Sequence, residues 1–294
     1  MKLTIGWSLA IITVLGCAPP PLALPTSTAE NQFTSLSSEA TITIAPTQNI
    51  REQKEMVLSL MESNRGCELP CWWGITPGQT SLSEVEEYFH ILGARTGRTQ
   101  QRISGNNFFG ARFENSLPEF NISFLDIEGN VYAIYVSGNQ AGTQDQSDFE
   151  LFWEPYSPKN VVTDYGAPSR ILLSAYGGFV PGTTGKQGYI LWIIYDSLGI
   201  MIRYDGLIQD LPMLHFCPEL ALGANNIHRI EITLQNPSNP RIPIGWIDSI
   251  LGNEPERVKS IQEAANLSME DFYELFSQSE KPACFDTPKD IWPK

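Results

Sequence analysis

Cysteine, histidine and tryptophan are the side chains through which this 294-residue sequence could do specific chemistry. Beyond Cys17 it holds Cys67, Cys71, Cys217 and Cys284, an even set that favours disulfides in an exported chain, with three pairings open. Cys67 and Cys71 bracket three residues that include Pro70, a span that can turn the chain within the Cα separation a disulfide requires. That choice leaves Cys217 for Cys284, and in the loop-entropy view the two bridges contribute on the order of 2 and 4 kcal/mol. Zinc is the competing chemistry, because Cys67-x-x-x-Cys71 with His215-x-Cys217 offers thiolates and an imidazole. The spacing departs from the usual two-residue knuckle and exported thiols oxidise, so no metal is assigned. Redox chemistry of the thioredoxin type asks for two residues between the cysteines, not three. For a nucleophile the sequence offers no Gly-x-Ser-x-Gly elbow, His-Glu-x-x-His pair or phosphate loop, and His90, His215 and His228 stand apart along the chain. Paired carboxylates, Glu86-Glu87 or Asp126 with Glu128, are the remaining route to a hydrolase, but sequence alone cannot set their separation. The reading is therefore non-enzymatic, with no cofactor.

The N-terminus carries the clearest address. Lys2 precedes an apolar run from Leu3 to Leu15, too short for the roughly 20 residues that span a bilayer and suited to a secretory signal. Val14-Leu15-Gly16-Cys17 resembles the lipobox of bacterial lipoproteins. That resemblance implies removal of residues 1–16 and acylation of Cys17, with Leu15 standing where Ala or Ser is commoner. Ordinary cleavage within Ala18 to Ala29 is the alternative. Ala18 rather than Asp after the cysteine points to the outer membrane where the cell has two. From 17 to 50 the chain is rich in Pro, Ser and Thr and cannot bury enough surface to offset its ordering entropy, so it reads as a tether to the exported domain at 51–294.

Composition narrows the partners. A formal charge of -14 opposes nucleic acid and anionic lipid, and the acidic residues form no Asp-x-Asp-x-Asp-Gly loop for a divalent cation. The membrane is then met through the anchor alone.

Patterning predicts an α+β domain. A helical stripe runs over Ile50 to Ser63, and Ser81-Leu82-Ser83-Glu84 is a capping box that should start a helix ended by Gly93. Phe108 to Phe113, Asn121 to Ile127 and Val131 to Val136 read as strands, the last two joined through Glu128-Gly129-Asn130. A second round follows: Ser157-Pro158 opens a helix closed by Gly166, then Ile171 to Ala175, Tyr189 to Tyr195 and Ile200 to Tyr204 read as strands. Ser157 lies 76 positions after Ser81 and Gly166 lies 73 after Gly93. Asp196 and Gly199 each lie 70 after Asp126 and Gly129, and Gly206 lies 68 after Gly138. This predicts two related helix-plus-antiparallel-sheet units, about 67–138 and 149–210. A C-terminal helical cap is expected over about 229–294: a strand from Arg229 to Leu234, helical stripes at Trp246 to Leu251 and Glu256 to Ala265, and a last helix capped by Ser268.

The block Cys-Glu-Leu-Pro-Cys-Trp-Trp-Gly-Ile-Thr-Pro-Gly at 67–78, with the Ser268-to-Cys284 run, resembles a family of uncharacterised bacterial lipoproteins; that resemblance supplies no activity. Gly78-Gln79-Thr80 before one helix and Tyr165-Gly166-Ala167-Pro168 after the other are similar to the repeated units of small outer-membrane assembly lipoproteins and of β-lactamase-inhibitor-type proteins. That second resemblance implies binding of an envelope protein through an exposed sheet face. Tyr132, Tyr135, Trp192 and Tyr204 are the candidate residues of such a face, with core positions as the alternative. A glycan-binding role is the other reading, with Trp72, Trp73 and Trp153 as stacking platforms against a packed alternative.

Overall fold

The structure, a computed structural model, describes residues 50–100, 107–113, 119–140, 146–176, 187–210, 212–220, 227–238, 256–278 and 283–292. Cys17, the tether and the expected helix at Trp246 to Leu251 lie outside the described residues.

Helix α1 (Ile50–Ser63) leads into the cysteine-proline-tryptophan block, and α2 (Leu82–Ile91) follows it. The predicted capping box is formed: Ser81 Oγ accepts from the Glu84 amide at 3.3 Å, and the Ser81 amide donates to the Glu84 carboxylate at 2.8 Å. Then come β1 (Arg95–Gln100), β2 (Asn107–Arg112), β3 (Glu119–Ile127) and β4 (Asn130–Asn139). Glu128 and Gly129, with φ of 55° and 85°, make the tight turn between β3 and β4, a conformation that suits the right-handed twist of a hairpin. Helices α3 (Gln146–Trp153) and α4 (Pro158–Tyr165) precede β5 (Arg170–Tyr176), β6 (Gln187–Tyr195), β7 (Ile200–Asp210), the short β8 (Leu214–Phe216) and β9 (Ile227–Gln235). The chain closes with β10 (Val258–Ser260), α5 (Ile261–Ala265), α6 (Met269–Ser277) and β11 (Phe285–Thr287).

The strands lie in the order β1-β2-β3-β4-β9-β7-β6-β5-β10, every neighbouring pair antiparallel. One row shows how the register builds the core: Ala111, Ile122, Val136, Ile232, Ile202, Ile193 and Ile171 face one another across β2 to β5. All are buried on the face that receives Val85 and Phe89 of α2, Phe149 and Phe152 of α3, and Val161 and Val162 of α4. Long apolar rows covered by helices on one face are what an α+β sheet requires.

Half a turn about the sheet normal exchanges β1 with β5, β2 with β6, β3 with β7 and β4 with β9, directions included. Each set of strands follows a pair of helices, α1 and α2 or α3 and α4. Two helices thus precede each four-stranded antiparallel run, with β8 inserted before the last strand of the second. The residue offsets counted in the sequence do not coincide with this symmetry. The 70-position offset matches β3 with β6 and β4 with β7, pairs whose units run in opposite hands on the common helix-covered face and which no rotation superposes. The 229–294 segment is also more than a helical cap: β9 is the central strand joining the two halves, and Val258 to Ser260, expected as helix, pairs with Leu172 to Ser174 of β5. Ser260 is the N-cap of α5, so the helix cannot begin before Ile261.

Candidate functional site

Disulfides form between Cys67 and Cys71, with Cα atoms 5.9 Å apart, and between Cys217 and Cys284, 4.3 Å apart. The first closes a loop organised by Asn64. Its side-chain amide donates to the carbonyls of Cys67 and Cys71 at 2.7 and 2.8 Å, and its oxygen accepts from the Trp73 amide at 2.7 Å. Trp72 and Trp73, both 0% exposed, are thereby driven under the sheet, where Trp73 stacks on Phe89 and Trp72 meets Tyr156 of the second half.

Four of the seven candidate aromatics, Trp72, Trp73, Trp153 and Tyr204, are core residues. Each is 0% exposed, and the Tyr204 hydroxyl donates to the Tyr156 carbonyl at 2.9 Å. Full burial leaves the three indoles no ring face for a sugar, and their N–H groups have no hydrogen-bond partner among the described residues. Tyr204 projects to the helix side because it shares the inner face with Ile200 and Ile202. Tyr132, Tyr135 and Trp192 do lie on the opposite face, in two small apolar clusters at its wings, yet Tyr132 and Trp192 are buried. Tyr135 is half-buried, and desolvation pushes its hydroxyl up to about 12. A bulge opposite Leu125 puts both Tyr132 and Ala133 on that face and returns Val131 to the core.

Between the wings runs a charged ladder. Arg203 holds Asp205 through two nitrogens at 2.7 and 2.9 Å and reaches Glu231 at 3.0 Å, and Arg229 pairs with the same Glu231. Burial pushes the Asp205 carboxyl up, against the pull of the Arg203 charge, and burial holds the neighbouring His228 below its usual value.

The other reactive corner was hidden from the sequence. Strand β8 leaves β7 and pairs with β11, setting Phe216 opposite Phe285 and His215 opposite Asp286. Phe216 and Phe285 stack at 5.3 Å on the buried side, with Tyr189 edge-on to Phe216. The alternate residues therefore face outward. There His215 Nδ1 lies 2.6 Å from Asp286 Oδ1, and His215 Nε2 lies 3.2 Å from Cys217 Sγ. His215 is thus not the isolated residue that chain spacing suggests. It stands beside Cys217 and Cys284 rather than with Cys67 and Cys71, and the 71 positions between His215 and Asp286 leave no local signal. Beside the disulfide, Glu154, Lys159, Glu219, Leu220, Phe276 and Ala283 line a cavity of about 130 Å³. Pockets that enclose a drug-sized ligand run to roughly 300 Å³ and above, so this one is smaller than that class. Burial, then the Glu154 charge, raises the Glu219 carboxyl.

In comparison with known proteins, no family model, curated sequence or solved structure matches the chain.

Proposed function

We propose that the protein is an extracytoplasmic lipoprotein, acylated at Cys17 and held away from the membrane by the 17–50 tether, whose rigid α+β body binds an envelope protein. The observation that carries this reading is the pair of disulfides, bonds that persist in oxidising compartments. Among the described residues no helix is long and apolar enough to cross a membrane, and in this reading the acylated Cys17 supplies the attachment. The partner surface is the sheet face opposite the helices, around the Arg203–Glu231–Arg229 ladder and the half-buried Tyr135. There side chains of Arg203, Glu231 and Arg229 keep 25%, 27% and 38% of their exposure, enough for charge-complementary contact with a folded partner. Glycan binding loses its platform, since Trp72, Trp73 and Trp153 present no ring face to solvent.

Two measurements on cells test this together. Labelled palmitate should enter the wild-type chain and not Cys17→Ser, and a photo-crosslinker replacing Tyr135 should capture a partner that one replacing Leu151 on the helical side does not. Absence of acyl label, or capture from Leu151 alone, overturns the reading.

A further inference from the structure

His215, Cys217, Cys284 and Asp286 stand on one side of the β8–β11 ribbon as two facing pairs. The His215 ring nitrogen and the two sulfurs lie within 4.8 Å of one another. The Asp286 carboxylate lies 2.6 Å from His215 Nδ1, which aims His215 Nε2 at Cys217 Sγ, 3.2 Å away. A disulfide sulfur has no proton to donate, so it meets that nitrogen only as a weak acceptor. A carboxylate on one imidazole nitrogen and an available lone pair on the other is the arrangement that metal-ligating histidines adopt.

We propose that reduction of Cys217–Cys284 by a dithiol turns this corner into a binding site for Zn²⁺, with Cys217 Sγ, Cys284 Sγ and His215 Nε2 as ligands, water in the fourth position and Asp286 orienting the imidazole. One thiolate of the dithiol attacks Cys284 Sγ, the bond between the cysteines breaks, and its electron pair passes to Cys217 Sγ. The second thiolate then attacks the mixed disulfide, expels Cys284 as a thiolate and closes the reductant's own disulfide. The chain gains the two electrons the dithiol loses, and the two thiol protons go to water as the cation takes both thiolates. Both cysteines are partly exposed, which gives the reductant access. The ribbon does not depend on the disulfide alone to stay in place. Phe216 stacks on Phe285, and Trp292 Nε1 donates to the Thr287 hydroxyl at 2.9 Å in the buried layer beneath. Three ligands of the thiolate and imidazole type with one open position make a zinc site of the exchangeable kind, not a closed structural one.

The test uses the full chain, reduced with a phosphine under anaerobic conditions and titrated with zinc against a chromophoric chelator, then with Co²⁺ to read the ligand set optically. A Cys67→Ser/Cys71→Ser background removes the other thiol pair. One equivalent of zinc should bind the reduced chain and none the oxidised chain, with a cobalt spectrum of tetrahedral sulfur and nitrogen ligation. Cys217→Ser should abolish binding, and Asp286→Asn, a change at an exposed position, should weaken it roughly 10–100-fold. The proposal is overturned if the reduced chain takes no zinc, if His215→Ala binds as tightly as the parent, or if reduction collapses the circular dichroism of the sheet and zinc does not restore it.

Discussion

The two disulfides sit in opposite surroundings. Cys67–Cys71 closes four positions of chain over two tryptophans that carry the core of the first half, whereas Cys217–Cys284 closes 67 positions and lies at a partly exposed corner beside a histidine and a carboxylate. A short loop over large buried rings adds little to their packing; a long loop restrains far more of the unfolded chain, so its bond contributes more even above the Phe216–Phe285 layer. The same chemistry thus serves as a local clip in one place and as the fastening of the C-terminal segment in the other.

The largest expected effect breaks that contrast at the packing end. Trp73→Ala, which empties a fully enclosed site against Phe89, Phe113 and Phe120, should cost about 3–5 kcal/mol in urea unfolding. Loss of the long bridge in Cys217→Ser/Cys284→Ser should cost about 4 kcal/mol, against about 2 kcal/mol for Cys67→Ser/Cys71→Ser. Equal losses from the two pairs would erase the distinction. Gly138→Ala on β4 should cost about 1–3 kcal/mol, since an added Cβ runs into the Trp153 indole. Smaller still, Ser81→Ala and Ser268→Ala should each remove about 1 kcal/mol of capping, with similar losses in the N-terminal half and in the C-terminal segment.

Acid sharpens the comparison through His228 on the ladder side of the sheet. Burial lowers its folded value below the usual 6.5, so its contribution is complete above that pH and is lost as the pH falls from 6.5 toward the folded value. Unfolding midpoints should decline over that window in the wild type, and His228→Gln should flatten the decline. Below it, Glu84 and Asp271, held under their ordinary 4.5 and 3.8 by the serines they cap, add a second loss as they protonate.

Local chemistry was legible in the sequence and long-range placement was not. Capping boxes at Ser81 and Ser268, the Glu128-Gly129 turn and the stripe of α1 all depend on neighbours within a few residues, and all are formed as read. Strand β1 escaped notice because Arg95-Thr96-Gly97-Arg98-Thr99-Gln100 has no apolar residue: it is a sheet edge, and its pairing with β2 supplies the order. The Ser260-Ile261-Gln262-Glu263 capping box separates Val258 to Ser260 from the helix they precede, but only pairing with the edge of β5 makes them a strand. Tyr132, Trp192 and Tyr204 were readable as strand residues, but which side each faces depends on a bulge and on what covers the sheet. The pairing of His215 with Asp286 exists only because β8 and β11 meet from distant parts of the chain.

Peptide mapping by mass spectrometry, on chain taken from membranes without reduction, reaches the central claim most directly. The account predicts a mature N-terminus at an acylated Cys17, one peptide pair joined through Cys217 and Cys284, and an internal bridge between Cys67 and Cys71. A chain that begins at Met1 with Cys67, Cys71, Cys217 and Cys284 all alkylated as free thiols would contradict it.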